Sequence, residues 1–415
     1  MLHILATLLW SVVTIIILIN GIYFSIKLSF PQFKIKKIIK SLFKDKNKET
    51  LKILYLTLAG RIGVGSIAGI AFAIYIGGPG TIFWMWIFAI ITASLAYTET
   101  LISICYKQKK YGGPSYNIKN GLKNKKLAIT YSLIIIIAYL IGFIPIQSNT
   151  IVKSLNSNNN IIAIFLTLLS FIIIKGGINK ITKVTNILVP IMTLIYIFIC
   201  VFTIISNIDK VLNIISQIIS SALNVKPFIS GFIPTLLIGI QRSVFSNESG
   251  TGLGAIAASS SNNINGSQSG YIQVLGIYIT TLLICTSTAF IIMTSPYQGI
   301  IINNPNGIEI TAFAFNYHFK NIGKILLNIS IILFSFTTIL TGYYYCESNL
   351  NFLNTNTKAL KIIVPISVYL GTKTSPTTIW KLVDITVAFL IIINIYSLFK
   401  LRKEILKYHK KYDRI

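Results

Sequence analysis

The sequence predicts an all-α integral membrane protein with about eleven transmembrane helices. Its 415 residues are 53% hydrophobic and only 11% charged, with a mean hydropathy of +0.73, which is too apolar for a soluble protein of this size. Apolar runs of about 20 residues, the length that crosses a bilayer, recur along the whole chain. The polar stretches between them are short, so the sequence indicates one membrane domain and no separate soluble domain.

Each apolar run predicts one helix. The first run has no basic segment before it and no small-residue cleavage site after it, so it is expected to be a retained helix and not a signal peptide. The tenth is short and contains Pro365. In chain order, the predicted helices cover residues of about 4–26, 53–77, 82–106, 127–148, 160–175, 184–206, 230–260, 269–294, 323–350, 359–372 and 380–400.

Positive charge in the loops predicts the orientation. With a cytoplasmic C-terminus, 28 of the 37 Lys and Arg fall in cytoplasmic loops and seven in the opposite loops, while Arg61 and Arg242 lie in helices. This bias predicts an N-terminus outside and a C-terminus inside. The expected location is the cytoplasmic (inner) membrane of a bacterium. The net charge of +27 is then a topology signal and does not indicate nucleic-acid binding. The Lys-rich segment 34–52 is expected to lie on anionic lipid.

Neither a metal site nor an enzyme site is predicted. The four cysteines each stand alone in or beside an apolar run, as small packing residues do: Cys105, Cys200, Cys285 and Cys346. The three histidines have no partner at metal-ligand spacing: His3, His318 and His409. No nucleophile–base pair or phosphate-binding loop is recognisable, so the sequence predicts no enzyme, no cofactor and no obligate protein partner.

Two predicted helices carry polar, glycine-rich interruptions. The second contains GRIGVGSIAG at 60–69, and the seventh contains SNESGTGLG at 246–254. Because glycine weakens a helix and polar groups are costly in hydrocarbon, both segments should face protein or a water-filled cavity. Interrupted helices at matching places in two inverted halves point to the substrate site of a transporter. Glycines for close helix packing are the alternative, and a weaker one where Asn247 and Glu248 are present.

The two interrupted helices each begin a set of five helices. Because five is an odd number, the two sets enter the membrane from opposite sides. The chain is therefore divided into four parts: an N-terminal helix with a basic cytoplasmic linker (1–52), a first five-helix repeat (53–206), a second repeat with a preceding external segment (207–400) and a basic cytoplasmic tail (401–415).

A helix broken inside the membrane suits a small zwitterion. The break exposes N–H groups, which bind a carboxylate, and C=O groups, which suit Na⁺ or an ammonium group. Gly63 and Gly65 would let a ligand touch the backbone, which favours a substrate with a very small side chain. Sodium needs several oxygen ligands, and Thr337 and Thr338 in FSFTTIL are candidates. Hydrogen bonding of these hydroxyls to the preceding helical turn is an equally good explanation.

Motifs spread along the chain carry a resemblance to a known family. They are GRIGVGSIAG (60–69), GGPGTIFWMW (77–86), YGGPSY (111–116), IQSN (146–149), GGINKI (176–181), LVPIM (188–192), NID (207–209), QRSVFSNESGTG (241–252), FTTIL (336–340) and YYYCESN (343–349). In order and spacing they resemble the alanine/glycine:cation symporter family. The resemblance implies a leucine-transporter-like fold with two inverted five-helix repeats, alternating access, and symport of alanine or glycine, usually with Na⁺.

The resemblance also implies which residues form the sites. Those expected to bind the substrate surround the two breaks: Gly63, Val64, Gly65, Ser66, Gln147, Asn247 and Gly250. Those expected to bind sodium are the first break and a Ser/Thr pair of the ninth helix: Gly63, Thr337 and Thr338.

Two departures from the family pattern bear on these sites. Ser66 stands where the family has Asn in a Gly-x-Gly-Asn motif, and this replacement removes an amide beside the expected ion and substrate. Thr280 stands where the family has Asp in the eighth helix, which removes one intramembrane carboxylate.

Charged residues within the predicted helices suggest gates. Arg61, Glu99 and Glu248 all fall in the predicted cytoplasmic half, where they are expected to form an ion-paired cluster that closes the inner side and opens during transport. A static charge network without a gating role is the alternative. Arg242 and Asp384 should lie nearer the outer face, where pairing between them is a weaker expectation.

The sequence therefore predicts a secondary active transporter that carries alanine or glycine into the cell with Na⁺. Its expected partners are this substrate, Na⁺ and membrane lipid. Coupling to H⁺, or another small solute such as serine, stays open because of Ser66. A transport-dead receptor or assembly subunit also stays open, although the intact glycines of both breaks argue against it.

Overall fold

The fold is built from long apolar helices. The computed structural model describes residues 2–43, 49–155, 160–224, 231–261, 264–299 and 307–413. Within these residues, seven helices are long and apolar enough to cross a membrane: Thr7–Lys27, Gly80–Tyr106, Lys125–Ser154, Gly177–Ile205, Gly266–Met293, Ile308–Phe352 and Ile379–Lys400. Shorter apolar helices accompany them at Ala68–Gly77, Asn160–Ile174 and Leu360–Gly371.

Nineteen α-helices cover most of the described chain. In order they are α1 (Leu2–Lys27), α2 (Ile35–Phe43), α3 (Glu49–Arg61), α4 (Ala68–Gly77), α5 (Gly80–Tyr106), α6 (Pro114–Asn120), α7 (Lys125–Ile137), α8 (Ile144–Ser154), α9 (Asn160–Ile174), α10 (Gly177–Ile205), α11 (Ile208–Leu223), α12 (Ile233–Asn247), α13 (Leu253–Ala258), α14 (Gly266–Ile277), α15 (Thr286–Met293), α16 (Ile308–Phe352), α17 (Leu360–Gly371), α18 (Pro376–Lys400) and α19 (Arg402–Tyr412).

All eleven predicted segments contain helix, and both predicted interruptions are present. The second segment is α3 and α4, separated by a 3₁₀ turn at Val64–Ser66, and the seventh is α12 and α13. The fourth and eighth segments each contain a π-helical stretch, Ala138–Phe143 and Tyr278–Cys285, which joins α7 to α8 and α14 to α15. Residue 230, where the seventh segment was predicted to begin, lies outside the described residues, as do 44–48 and 414–415.

Several bounds differ from the prediction. The predicted ninth helix, 323–350, agrees with the second part of α16, because the non-helical backbone of Lys320, with φ 49° and ψ −133°, divides α16 into two helices. The first part, from Ile308 to the kink, was not predicted. The sixth begins at Gly177 and not at 184. The sequence did not predict four further helices: α2, α6, α11 and α19. These four are short or carry polar residues on one face, so a search for continuous apolar runs does not detect them.

The Lys-rich loops meet on one face of the bundle, which we call the basic face. Lys34 Nζ lies 3.1 Å from Asp413 Oδ2, Lys361 Nζ donates to the carbonyl of Lys175 at 3.1 Å, and Lys110 Nζ donates to Asn179 Oδ1 at 3.2 Å. These contacts bring the loop after α1, the loops around α6 and before α10, and the C-terminal segment together. Several of the Lys-rich segments that were predicted to share one side of the membrane are therefore in contact with one another in pairs.

The predicted basic tail contains a docked helix. On α19, Ile405 and His409 are buried, and His409 Nδ1 is hydrogen-bonded to Tyr97 Oη at 2.9 Å. Asp413, after the end of α19, is 3.0 Å from Lys37 Nζ and accepts a hydrogen bond from Tyr271 Oη at 2.7 Å. The tail thereby connects α2, α5 and α14 across the basic face.

Candidate functional site

The first helix break is buried in the middle of the bundle. The helix α3 ends at Arg61, and Gly63 has an extended backbone with φ −124° and ψ −157°, so the chain cannot continue the helix there. Val64 donates its backbone N–H to Gln147 Oε1 of α8 at 3.0 Å. A Cβ atom on Gly63 would lie 2.8 Å from Thr338 Oγ1 and 3.0 Å from Gln147 Oε1, so a larger residue would displace these two side chains.

A hydroxyl group faces the carbonyl end of this break. Thr338 Oγ1 of α16 lies 2.9 Å from the carbonyl oxygen of Ala59 and 3.5 Å from that of Ile62. It is also 2.9 Å from the carbonyl oxygen of Phe334, one turn earlier in α16. A hydroxyl has a single proton, so three carbonyl oxygens around it leave oxygen lone pairs free for a cation.

Thr337 points elsewhere. Its hydroxyl donates to the carbonyl oxygens of Leu333 at 3.0 Å and Phe334 at 3.1 Å, and lies 3.7 Å from Met192 Sδ of α10. The structure therefore brings Thr338 to the break but turns Thr337 towards α10. For Thr337, hydrogen bonding to the preceding turn, the alternative weighed from the sequence, describes the geometry.

The ring of Phe245 covers the amide end of the first break. A Cβ atom on Gly65 would overlap the Phe245 ring, so the ring packs directly on the backbone. Phe245 is stacked on Phe143 with ring centroids 5.3 Å apart and an interplanar angle of 18°. The sequence reasoning missed Phe245, although it immediately precedes the SNES of the second interrupted helix. It also missed Phe143, which lies in the π-helical stretch of the fourth segment.

Ser66 is held through its backbone. The residue is completely buried, and its carbonyl oxygen accepts a hydrogen bond from Thr288 Oγ1 of α15 at 2.7 Å. The other departure from the family pattern, Thr280, is also buried, and its hydroxyl bonds to the carbonyl of Gly276 in its own helix at 3.0 Å. The hydroxyl of Thr280 is therefore hydrogen-bonded within its own helix and does not reach the break.

The side chain of Asn247 caps the backbone at the second break. Asn247 Oδ1 accepts a hydrogen bond from the backbone N–H of Ser249 at 3.0 Å, and Nδ2 donates to Ser243 Oγ at 3.2 Å. Glu248 has φ 57°, a left-handed backbone that ends α12.

Gly250, in the second break, lies beside α1 and α18. Its Cα faces Ile17 of α1 and Ile391 of α18, and its carbonyl accepts a hydrogen bond from Asn394 Nδ2 at 2.9 Å. The structure thus does not bring Gly250 to the first break, although the two residues were expected to share one substrate site.

The three charged residues expected to form a gate come together at the end of α3. Arg61 Nε is 4.0 Å from Glu248 Oε2, and Arg61 Nη1 donates to the carbonyl of Gln273 at 3.0 Å. The guanidinium lies between two glycines, because a Cβ atom on Gly254 would be 2.5 Å from Nη2 and one on Gly276 would be 2.7 Å from Nη1. This positive group is buried deeply enough to need a counter-charge.

The two carboxylates of this cluster have different partners. Glu248 accepts hydrogen bonds from Tyr139 Oη at 3.2 Å and from Tyr345 Oη at 3.3 Å. Glu99 instead accepts from Asn394 Nδ2 of α18 at 2.7 Å. The expected cluster is therefore present, with Glu248 next to the guanidinium and Glu99 beside the second break.

The weaker expected pair is also present, on α12 and α18. Arg242 Nη2 of α12 lies 3.1 Å from each carboxylate oxygen of Asp384 in α18. The guanidinium carbon lies 4.9 Å from the ring centroid of Trp380 and 5.7 Å from that of Phe245. Because Phe245 also covers the first break, this side chain connects the ion pair to the site.

Comparison with known proteins identifies the family. A sequence model of the "Sodium:alanine symporter family" matches residues 1–415. The chain belongs to the sodium:alanine symporter family. It is therefore a multi-pass membrane transporter and not an enzyme, and the expected resemblance is confirmed.

Individual relatives of the symporter family differ in what their names state. The chain is 31% identical to "Amino-acid carrier protein AlsT" of Bacillus subtilis (strain 168), over 97% of this chain and 90% of the relative. It is 32% identical to "Probable sodium/glutamine symporter GlnT" of the same organism, over 98% of this chain and 89% of the relative. It is 30% identical to "Sodium/proton-dependent alanine carrier protein" of Bacillus sp. (strain PS3), over 88% of each chain.

A solved structure has the same fold as this chain. The crystal structure of MhsT in complex with L-phenylalanine superposes with a TM-score of 0.62 at 12% sequence identity, covering 85% of this chain and 88% of that chain. The predicted leucine-transporter-like fold, with two inverted five-helix repeats that each begin with a broken helix, is confirmed by this match.

Proposed function

We propose that this transporter carries alanine or glycine together with Na⁺ into the cell by alternating access. The proposal places the basic face in the cytoplasm of a bacterium and the start of α1 outside. The observation that carries it is the group of oxygens around Thr338 Oγ1, with the carbonyls of Ala59 and Ile62 at 2.9 and 3.5 Å. These oxygens belong to the carbonyl end of the broken helix, where a membrane transporter can bind Na⁺ without a carboxylate.

The amide end supports a small amino-acid substrate. Gln147 Oε1 accepts the Val64 N–H at 3.0 Å, so a substrate carboxylate could take the place of this amide oxygen. The side chains of Gln147 and Thr338 contact Gly63, and the Phe245 ring contacts Gly65, so a Cβ atom at either glycine would displace them. A substrate that binds here meets backbone on one side and an aromatic ring on the other, and both favour a side chain no larger than a methyl group.

The charged cluster supports a gate on the basic face. Arg61 and Glu248 lie on the two broken helices, so separation of these helices would also separate the ion pair. The aromatic-covered pair of Arg242 and Asp384 supports a second closure nearer the other face. Alternating access needs one barrier on each side of the substrate, and the two pairs lie on the two sides of the first break.

Uptake of radiolabelled alanine into proteoliposomes tests the proposal. An inward Na⁺ gradient is compared with a matched K⁺ gradient, with excess unlabelled glycine as competitor. Sodium-dependent uptake that glycine competes away is the expected result. Absence of uptake with either a Na⁺ or a H⁺ gradient would contradict the proposal and favour a transport-dead protein.

Coupling to protons is the second candidate. It is supported by the buried cluster at the end of α3, where two carboxyl groups, Glu99 and Glu248, accompany one guanidinium, Arg61. The same assay separates the two candidates, because alanine uptake driven by an inward H⁺ gradient in Na⁺-free buffer would assign the coupling to protons.

A further inference from the structure

The formal charges of the cluster at the end of α3 do not balance. Arg61, Glu99 and Glu248 are 2%, 2% and 3% exposed, so all three are removed from water. Two carboxylates and one guanidinium would leave one negative charge uncompensated. In the described part of the chain, the elements around the cluster add the neutral hydroxyls of three tyrosines and no second cation: Tyr131, Tyr139 and Tyr345. A buried carboxyl group without a counter-charge is relieved by binding a proton.

Glu248 is arranged to be the ionised member. One of its oxygens, Oε2, is the carboxylate oxygen that faces Arg61 Nε, at 4.0 Å. Both of its oxygens accept hydrogen bonds from tyrosine hydroxyls, Tyr139 at 3.2 Å and Tyr345 at 3.3 Å. A carboxylate that faces a cation and receives two O–H donors is stabilised in its charged form.

Glu99 is paired with a side chain that offers both a donor and an acceptor. Asn394 Nδ2 donates to Glu99 Oε1 at 2.7 Å and to the carbonyl of Gly250 at 2.9 Å. Asn394 is completely buried, and its Oδ1 accepts no hydrogen bond from any residue that the structure describes. An ionised carboxylate can only accept, so it cannot satisfy this oxygen, whereas a protonated carboxyl group can donate to it.

We propose that Glu99 is a proton-binding site, and that Asn394 holds the neutral carboxylic acid in this closed state. The acid donates its O–H to Asn394 Oδ1 and accepts a hydrogen bond from Asn394 Nδ2, so the carboxyl group and the amide each supply the partner that the other needs. The backbone N–H groups of Gly250 and Gly252 also face Glu99 and favour its charged form, so they oppose the proton, whereas the unsatisfied Asn394 Oδ1 and the missing counter-charge favour it. The proton comes from water and returns to water, with no other bond made or broken.

The position of the site connects the proton to movement of the broken helices. Asn394 bonds Glu99 and the second break at once, so displacement of the break would open this contact and let water reach the carboxyl group. Proton release would then accompany opening of the basic face. This consequence for transport rests on the proposed function, whereas the assignment of the proton to Glu99 does not.

Infrared difference spectroscopy of the purified protein in lipid tests the assignment. At neutral pH the wild type should show the C=O stretching band of a protonated, hydrogen-bonded carboxyl group, shifted by exchange into D₂O. Glu99→Gln should lose this band. Glu347→Gln is the matched control, because Glu347 is another buried glutamate, in contact with Tyr343 Oη at 2.9 Å, and its replacement should leave the Glu99 band in place.

A second variant covers the case in which Glu99→Gln does not fold. Asn394→Leu keeps the glutamate but removes its hydrogen-bond partner, so the band should shift. The assignment would be overturned if the infrared C=O band of protonated carboxyl groups were the same in Glu99→Gln as in the wild type. It would also be overturned if this band did not move in Asn394→Leu.

Coupling is measured separately, with a pH-indicator dye in weakly buffered solution. Addition of Na⁺ and alanine should exchange protons with the wild type and not with Glu99→Gln, and equal exchange in both would reject a role for this proton in transport. Failure of alanine uptake with the infrared band intact would reject the proposed function and leave the proton site standing.

Discussion

Arg242 Nη2 lies 3.1 Å from both carboxylate oxygens of Asp384, so a single nitrogen of α12 holds a carboxylate of α18 symmetrically. The side chains of Arg242 and Asp384 are 5% and 14% exposed, and the ring of Trp380 lies against the guanidinium. The ion pair is therefore shielded from water and connects the second repeat's broken helix to its last helix.

Asp384→Asn should destabilise the protein. Removing one partner of a buried ion pair leaves an uncompensated charge, which costs about 3–5 kcal/mol. Thermal unfolding in detergent should show a lower midpoint than the wild type, and the double replacement Arg242→Met with Asp384→Leu should recover most of the loss. An unchanged midpoint for Asp384→Asn would show that the pair contributes no stability.

Gly65→Ala should reduce transport strongly while the protein still folds. The new Cβ atom would overlap the Phe245 ring, and overpacking of this kind costs about 1–3 kcal/mol, which corresponds to a loss of about 5- to 150-fold in uptake. Gly69→Ala is the matched control in the same broken segment, because the nearest atom there, Trp380 Cη2, is 3.9 Å from the new Cβ. Equal uptake by the two variants would contradict the close packing of Phe245 on the break.

Thr338→Val should raise the Na⁺ concentration needed for half-maximal uptake by about tenfold, since losing one oxygen ligand costs about 1–2 kcal/mol. Thr337→Val has the same change of shape one residue earlier, where the hydroxyl faces Met192 and not the break. It should leave the Na⁺ dependence close to that of the wild type. If Thr337→Val raised the required Na⁺ concentration more than Thr338→Val did, Thr337 and not Thr338 would be the sodium ligand.

Glu248→Gln should loosen the basic face. It removes the carboxylate nearest to the buried Arg61, so the contact between the two broken helices weakens and α13 opens more often. Hydrogen–deuterium exchange of the amides at 253–258 should be faster by about tenfold. Glu347→Gln, on α16, serves as the control. Unchanged exchange and unchanged uptake in Glu248→Gln would favour a static charge network over a gate.

Docking of α19 should weaken as the pH falls through 6.5, the ordinary pKa of histidine. Burial lowers the pKa of His409, against the opposing effect of Asp413, so the docked state binds fewer protons than the undocked state. Stability of docking therefore rises with pH between the lowered pKa and 6.5, and is lost on acidification across this window.

Asp413 does not contribute to this change. Burial opposes ionisation of Asp413, but hydrogen bonds from Tyr271, Lys37 and Lys34 hold its pKa below the ordinary 3.8, so it stays ionised throughout. Limited proteolysis at 402–412 should therefore accelerate below pH 6.5 in the wild type but not in His409→Gln. Equal acceleration in both would exclude His409 as the responsible group.

The two breaks were predictable because their composition is incompatible with lipid-facing helix. Gly63 and Gly65 within an apolar run, and Asn247 with Glu248 in another, are local signals that need no tertiary information. The pairing of Arg61 with Glu248 was also predictable, since charges at similar depth in a membrane have few other partners.

Other features depend on rotation about helix axes, which spacing in the sequence does not determine. Thr337 and Thr338 are adjacent, so about 100° of helix rotation decides which one faces the break. Gly250 was placed at the substrate site because it lies in the second break, yet three residues after Asn247 the chain already faces α1 and α18. Phe245 gave no signal of its own, because an aromatic residue in an apolar run is normally a packing residue.

The two glycines that flank the guanidinium of Arg61 make three positions of the chain dependent on one another in evolution. Alanine at Gly276 is excluded as long as Arg61 occupies the space beside it, whereas at Gly254 a Cβ atom would also meet Gln273 Oε1, at 2.6 Å. A smaller residue at 61 would leave a void and remove the counter-charge of Glu248. A lineage that loses the arginine first is thereby freed to lose Gly276, whereas the reverse order passes through an overpacked intermediate. Glycine at 276 is therefore expected to persist in descendants that retain Arg61 and to drift in those that have replaced it, while glycine at 254 is also held by Gln273.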